Sequence, residues 1–190
     1  MEPRKIMIFR IGERKFAIGI EKIKRIKKGK GADFKITEIE GAPPYIIGVS
    51  EVEITRGEKK LITLIDFKKL IEMKKIEIQE DDEEIKKMQE KNKSQTKVLK
   101  AEDEGDTGKD KRKIFMIVSR DNNEFVGVLI DEPEDIKELD ERNSKIYPPP
   151  KIKNVKDLFE SIVILQNEKG EEEQRILLLN PDSIIEMAGL

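Results

Sequence analysis

Cysteine, histidine and tryptophan are all absent from this chain. Without cysteine there are no disulfides and no thiolate metal sites, which fits a reducing, cytoplasmic compartment. Without histidine the commonest general base, the usual zinc ligand and the Ser–His nucleophile pair are excluded. An excess of one charge sign is missing too: 38 basic residues face 40 acidic ones, for a net charge of -2. A nucleic-acid binder normally carries a net basic face, so this balance argues against one. No run approaches the roughly 20 apolar residues of a membrane span, and MEPRKIMIF lacks the pattern of a signal peptide. The expectation is a cytoplasmic protein that meets a membrane only through something else.

What is present is charge and β-pattern. Charged residues make up 41% of the 190 residues and hydrophobic ones 36%, enough chain for one domain or two small ones. Richness in Lys, Glu and Ile without cysteine resembles the composition of thermophile proteins.

Short apolar runs alternate with turn signals. Lys5–Ile11 and Lys15–Ile20 flank Gly12-Glu13-Arg14 as a hairpin. Phe34–Ile39 alternates with period two, as a half-buried strand does. Tyr45–Ile54 and Leu61–Ile65 form a second hairpin around Arg56-Gly57, and Phe67–Met73 has the spacing of a helical turn. Residues 74–112 carry few apolar side chains among blocks such as EDDEE and EDEGD. Such a segment cannot bury enough surface to offset its ordering entropy, and reads as a charged linker or insertion, flexible or partly helical. Strands resume at Ile114–Val118, Phe125–Ile130 and Ile136–Leu139, and end in a hairpin of Phe159–Gln166 with Arg175–Leu179.

The two parts repeat one another. RGEKKLITLIDFKKLIE (56–72) parallels KGEEEQRILLLNPDSIIE (169–186): a Gly turn, a strand, an Asp or Asn, and a helical turn. A proline cluster precedes each, and KFAIGIEKIKRI resembles EFVGVLIDEPEDI further upstream. The fold class expected is mainly β, as two small barrels of about five strands with short helical turns. The division expected is 1–73, 74–112 and 113–190. Whether the first strand joins the first barrel or crosses to the second stays open.

Catalytic and metal motifs are missing. Asp131–Asp135 lacks the spacing and turn glycine of a calcium loop, and reads as a solvated turn. KKGKG (27–31) lacks the Ser/Thr and the strand–loop–helix setting of a P-loop, and reads as a mobile basic loop. No cofactor and no enzyme activity are expected. The remaining capacity is for protein contacts through strand faces, edges and loops. Gly48 and Gly127, each inside a strand, mark bulges or close approaches of neighbouring chain.

The ordered motifs ITEIEGAPPYIIGV, LITLIDFKKL, EFVGVLIDEP, IYPPP and RILLLNPDSII together resemble the CheW family of chemotaxis coupling proteins. The resemblance covers most of the chain outside 74–112. It implies two SH3-like barrels and a non-catalytic adaptor. Its implied partners are the regulatory domain of a CheA-type histidine kinase and the cytoplasmic tip of a chemoreceptor. The kinase would meet the first barrel, and the receptor the groove between barrels. Candidate partner-binding residues are Pro44, Tyr45, Ile47, Gly48, Val49, Glu51, Glu53, Arg56, Gly57, Val126 and Gly127. One departure is visible. Where the family continues from Gly-Val into Asn-Leu-Arg-Gly, this chain has Ser50–Gly57, so that either Glu53 replaces the arginine or Arg56 is its displaced equivalent. A diverged scaffold with a different partner is the alternative.

Overall fold

The computed structural model describes residues 4–30, 33–73, 112–121, 123–152 and 157–189. Of the segment 74–112 only Arg112 falls within them, so the linker reading lies outside the described residues. In chain order the elements are β1 (Arg4–Ile11), β2 (Arg14–Gly19), a 3-10 turn (Ile20–Lys22), β3 (Ile23–Gly29), β4 (Ile36–Thr37), β5 (Ile46–Thr55), β6 (Glu58–Asp66) and helix α1 (Phe67–Met73). The second part supplies β7 (Lys113–Arg120), β8 (Glu124–Ile130), β9 (Glu132–Leu139), β10 (Ser144–Tyr147), β11 (Phe159–Gln166), β12 (Glu172–Leu179) and helix α2 (Pro181–Met187).

The strands form two curled six-stranded sheets, with orders β3-β7-β8-β6-β5-β4 and β9-β1-β2-β12-β11-β10. Read in that direction the two orders match position by position, so the sequence repeat is a structural one. Each sheet has one strand more than expected, because β3 and β10, each at an edge of its sheet, were not read as strands.

The sheets do not divide where the repeat divides. β1 and β2 pair with β9 and β12 of the second part, while β7 and β8 pair with β3 and β6 of the first. The first strand therefore crosses over, and a boundary at 73 and 113 separates the repeats but not the sheets. The crossing after β8 is pinned at Asp131. Its Oδ2 accepts the Gly12 N–H at 2.6 Å, and its own N–H donates to the Arg10 carbonyl at 3.0 Å.

This exchange explains the continuous apolar runs. Strands buried on both faces need apolar residues at every position rather than at alternate ones. In β1, Ile6 and Ile8 point into one barrel with Ala17, Val163 and Leu178, while Met7, Phe9 and Ile11 point into a central core between the sheets. In β7, Phe115 and Ile117 fill the other barrel with Val52, Ile62 and Leu64, while Met116 and Val118 join the central core. Phe16 sits at the middle of that core, stacked on Phe9 and Phe159 with centroids 6.0 and 6.2 Å away, and edge-on to Phe67 of α1 at 5.4 Å. The Asp or Asn ending each repeat's last strand caps the helix that follows. Asp66 Oδ1 accepts the Lys69 N–H at 3.1 Å, and Asn180 Oδ1 accepts the Asp182 N–H at 3.1 Å.

Two sequence readings are corrected. Lys27–Gly29 belongs to strand β3 and not to a loop, and Glu132–Asp135 belongs to β9 and not to a turn. Both strands are outermost in their sheets, where charged side chains are tolerated and useful.

Candidate partner-binding surface

The hairpin β5–β6 carries most of the candidate residues, and strand alternation sorts them by face. Val52 and Ile54 point into the barrel. Glu51 and Glu53 alternate with them and face outward, in the same row as Val49. Across the ladder Val49 stands opposite Thr63, Glu51 opposite Leu61, and Glu53 opposite Lys59. Leu61 lies in the middle of this outer face with 72% of its surface exposed. Lys59 Nζ lies 3.6 Å from Glu51 Oε1, in an exposed pair beside it. The result is an apolar spot rimmed by charge, an arrangement common at protein contacts.

Leu61 was missed in the sequence, although KKLITLI carried the signal. Ile62 and Leu64 are interior, so period two sends Leu61 outward.

The turn is organised by Glu53. Its Oε1 accepts the Gly57 N–H at 2.9 Å, and Gly57 takes the φ of +83° that glycine adopts without strain. The backbone carbonyl of Glu53 accepts from Arg25 Nη1 at 2.7 Å. Glu53 is thus committed to holding the turn, and Arg56 is left exposed at its tip.

The other candidates are internal or framing positions. Pro44 is exposed, whereas Tyr45 is buried in the central core with its hydroxyl 3.4 Å from the Met187 carbonyl of α2. Ile47 is half-buried against the first barrel's core. Gly48 has φ +148°, and a Cβ there would stand 2.4 Å from the Thr37 carbonyl oxygen, so β4 lies directly over it. Val126 is fully buried in the central core. A Cβ on Gly127 would stand 2.5 Å from Leu64 Cδ2. Gly48 therefore makes the close backbone approach expected of it, and Gly127 makes room for a side chain instead. Tyr45, Gly48, Val126 and Gly127 position the hairpin and do not form its outer face.

Among the described residues no group of three or more acidic side chains is arranged to hold a metal, and no helix is long and apolar enough to cross a membrane.

Paired, strand-exchanged barrels with an open hairpin face define a β-scaffold with an exposed apolar spot rimmed by charge. A CheW-like domain model matches residues 5–189, and the chain belongs to that family, whose members are scaffolding proteins of chemotaxis signalling. Among solved structures the fold is similar to the scaffolding protein TtCheW from Thermoanaerobacter tengcongensis. The TM-score is 0.56 at 21% identity, over 94% of this chain and 89% of that one. The two sheets are accordingly the SH3-like barrels of the CheW fold. No curated protein matches the chain.

Proposed function

We propose that this protein is a non-catalytic, cytoplasmic adaptor that couples a chemoreceptor's cytoplasmic tip to a CheA-type histidine kinase. The reading rests on family membership and on one observation, the open outer face of β5–β6 with Leu61 at its centre. That face is the docking surface for the kinase's regulatory domain. Val49 and Leu61 supply apolar contact, and Glu51, Lys59 and Arg56 supply the charged rim that sets specificity. The receptor tip occupies the groove between the barrels.

Size-exclusion chromatography of the protein with a CheA-type regulatory domain at tens of micromolar tests this. Co-elution is expected. Two separate peaks, with both proteins folded, would count against it.

The engagement of Glu53 in the hairpin turn favours a second reading, in which the altered Ser50–Gly57 segment selects a different partner. In that case the fold is retained and the kinase domain is not captured, while a pull-down returns a protein that depends on Arg56.

A further inference from the structure

Glu53 is held from two sides. Its carboxylate accepts the Gly57 N–H of its own turn at 2.9 Å, and its backbone carbonyl accepts Nη1 of Arg25 at 2.7 Å. The second contact closes the first barrel. Among the described residues β4 pairs only with Val49 and Ser50, so beyond Ser50 that side of β5 has no ladder partner. The curl of the sheet brings β3, its opposite edge, across to this gap. A carbonyl on a free edge needs a donor, and the guanidinium provides it.

The ladder aims Arg25 at this place. Arg25 stands opposite Ile117, and Lys27 opposite Phe115, both interior residues of the first barrel. Two cationic side chains of the outermost strand therefore share the row that faces the barrel. Long cationic side chains lay their stems along such a seam and keep their heads in water. Lys27 Nζ stands 5.3 Å from the Phe34 ring centre, and Arg25 reaches Glu53. Both strands bulge at the contact, β3 at Lys24 and β5 at Ile54, and bulges bend a strand and re-aim its groups. Arg25 makes no other hydrogen bond or ion pair among the described residues.

The second repeat keeps the turn and lacks the latch. Gln166 holds the position of Glu53, and its Nε2 donates to the Gly170 carbonyl at 3.0 Å. The counterpart of Arg25 is Asp135, one residue before Ile136 as Arg25 is one before Ile26, and opposite Ile8. An ionised carboxylate only accepts, so it cannot hold a carbonyl. Asp135 is paired instead with Lys137 at 3.2 Å and with the Ile136 N–H at 2.8 Å. The Gln166 N–H goes to the Asn143 carbonyl at 2.8 Å. Of the two hairpins, only the one with the open face is latched by an arginine.

We propose that Arg25 is a positioning residue of the docking face. By holding the Glu53 carbonyl it fixes the turn that carries Arg56. One hydrogen bond to one carbonyl does not use the forked geometry of a guanidinium, so lysine can replace it. What the latch does for a partner rests on the docking reading above, and the latch itself does not.

Backbone amide relaxation by NMR tests the latch in the full chain, for wild type, Arg25→Ala and Arg25→Lys. Calorimetric titration of a CheA-type regulatory domain with the same three proteins tests its use. The Gly57 order parameter should lie near the rigid value of about 0.85 in wild type and fall below about 0.6 in Arg25→Ala. The amides of β7 should stay rigid in both, which confines the change to the tip. Affinity should weaken about threefold or more in Arg25→Ala, and Arg25→Lys should recover both readings. A Gly57 that stays rigid in Arg25→Ala overturns the proposal. So does a mobile turn with undiminished affinity, and so does a lysine variant that behaves like the alanine one. A wild type that does not bind overturns the docking reading instead, and the mobility of Gly57 then decides the latch alone.

Discussion

The hairpins β5–β6 and β11–β12 have the same plan and opposite fates. Aligned through the strand ends Asp66 and Asn180, Val49, Glu51, Leu61 and Thr63 correspond to Ile162, Ile164, Arg175 and Leu177. Ile162, Ile164 and Leu177 are buried in the central core, whereas Glu51 and Leu61 face solvent. The pseudo-symmetry of the strands is thus broken by packing, and one of two equivalent faces is left open. A repeat that buried both faces would have no free hairpin surface. The open face is therefore where this molecule can meet a partner without unfolding anything.

Exchanging residues between the two hairpins tests this difference. The largest effect is expected for Ile164→Glu, which gives the buried face the residue of the open one. A carboxylate in this fully buried site, facing an Arg175 that is already paired with Glu172, should cost more than about 4 kcal/mol and prevent folding at moderate denaturant. The variant's chemical denaturation curve checks this. Phe16→Ala, at the centre of the core that both repeats share, should cost about 3–5 kcal/mol in the same assay. Gly48→Ser copies the counterpart position Ser161. It should cost about 1–3 kcal/mol, because Gly48 alone has the positive φ and the Thr37 carbonyl overhead. Leu61→Arg copies Arg175 and should change stability by no more than about 0.5 kcal/mol, since the site is exposed.

Much of the fold was legible because each repeat carries its own grammar. The Gly turns at 57 and 170 and the capping Asp66 and Asn180 are local features and lie where they were expected, whereas of the period-two run Phe34–Ile39 only Ile36–Thr37 forms a strand. Strand β3 and the first half of β9, Glu132–Asp135, were hidden for a physical reason. The bulges at Lys24 and Glu134 each insert one residue, which changes the spacing of Ile23 and Ile26, or Pro133 and Ile136, from two to three. The period then no longer reads as a strand. The crossover of β1–β2 and β7–β8 was illegible for another reason. Both hairpins are apolar on both faces, so their sequences specify a hairpin but not the sheet it joins.

For the site, proximity to the Pro-Tyr-Gly motif brought together surface and interior residues alike. Pro44, Glu51 and Arg56 are exposed, while Tyr45, Gly48, Val126 and Gly127 frame the hairpin from inside. Motif order locates a region, and only burial separates the residues that touch a partner from those that hold the surface in place.

The strand exchange has a mechanical consequence of its own. Cleavage at a protease site placed between residues 74 and 111 should leave the two fragments co-eluting under native conditions. Each fragment contributes strands to both sheets, so separation would require unpairing β1–β9, β2–β12, β3–β7 and β6–β8.

The central claim, that the open β5–β6 face docks the kinase's regulatory domain, is tested most directly by calorimetric titration of that domain with wild type and with Leu61→Arg. The account predicts binding for the wild type and affinity weaker by about tenfold or more for the variant, about 1.4 kcal/mol, with an unchanged denaturation midpoint. Equal affinities for the two proteins would contradict it.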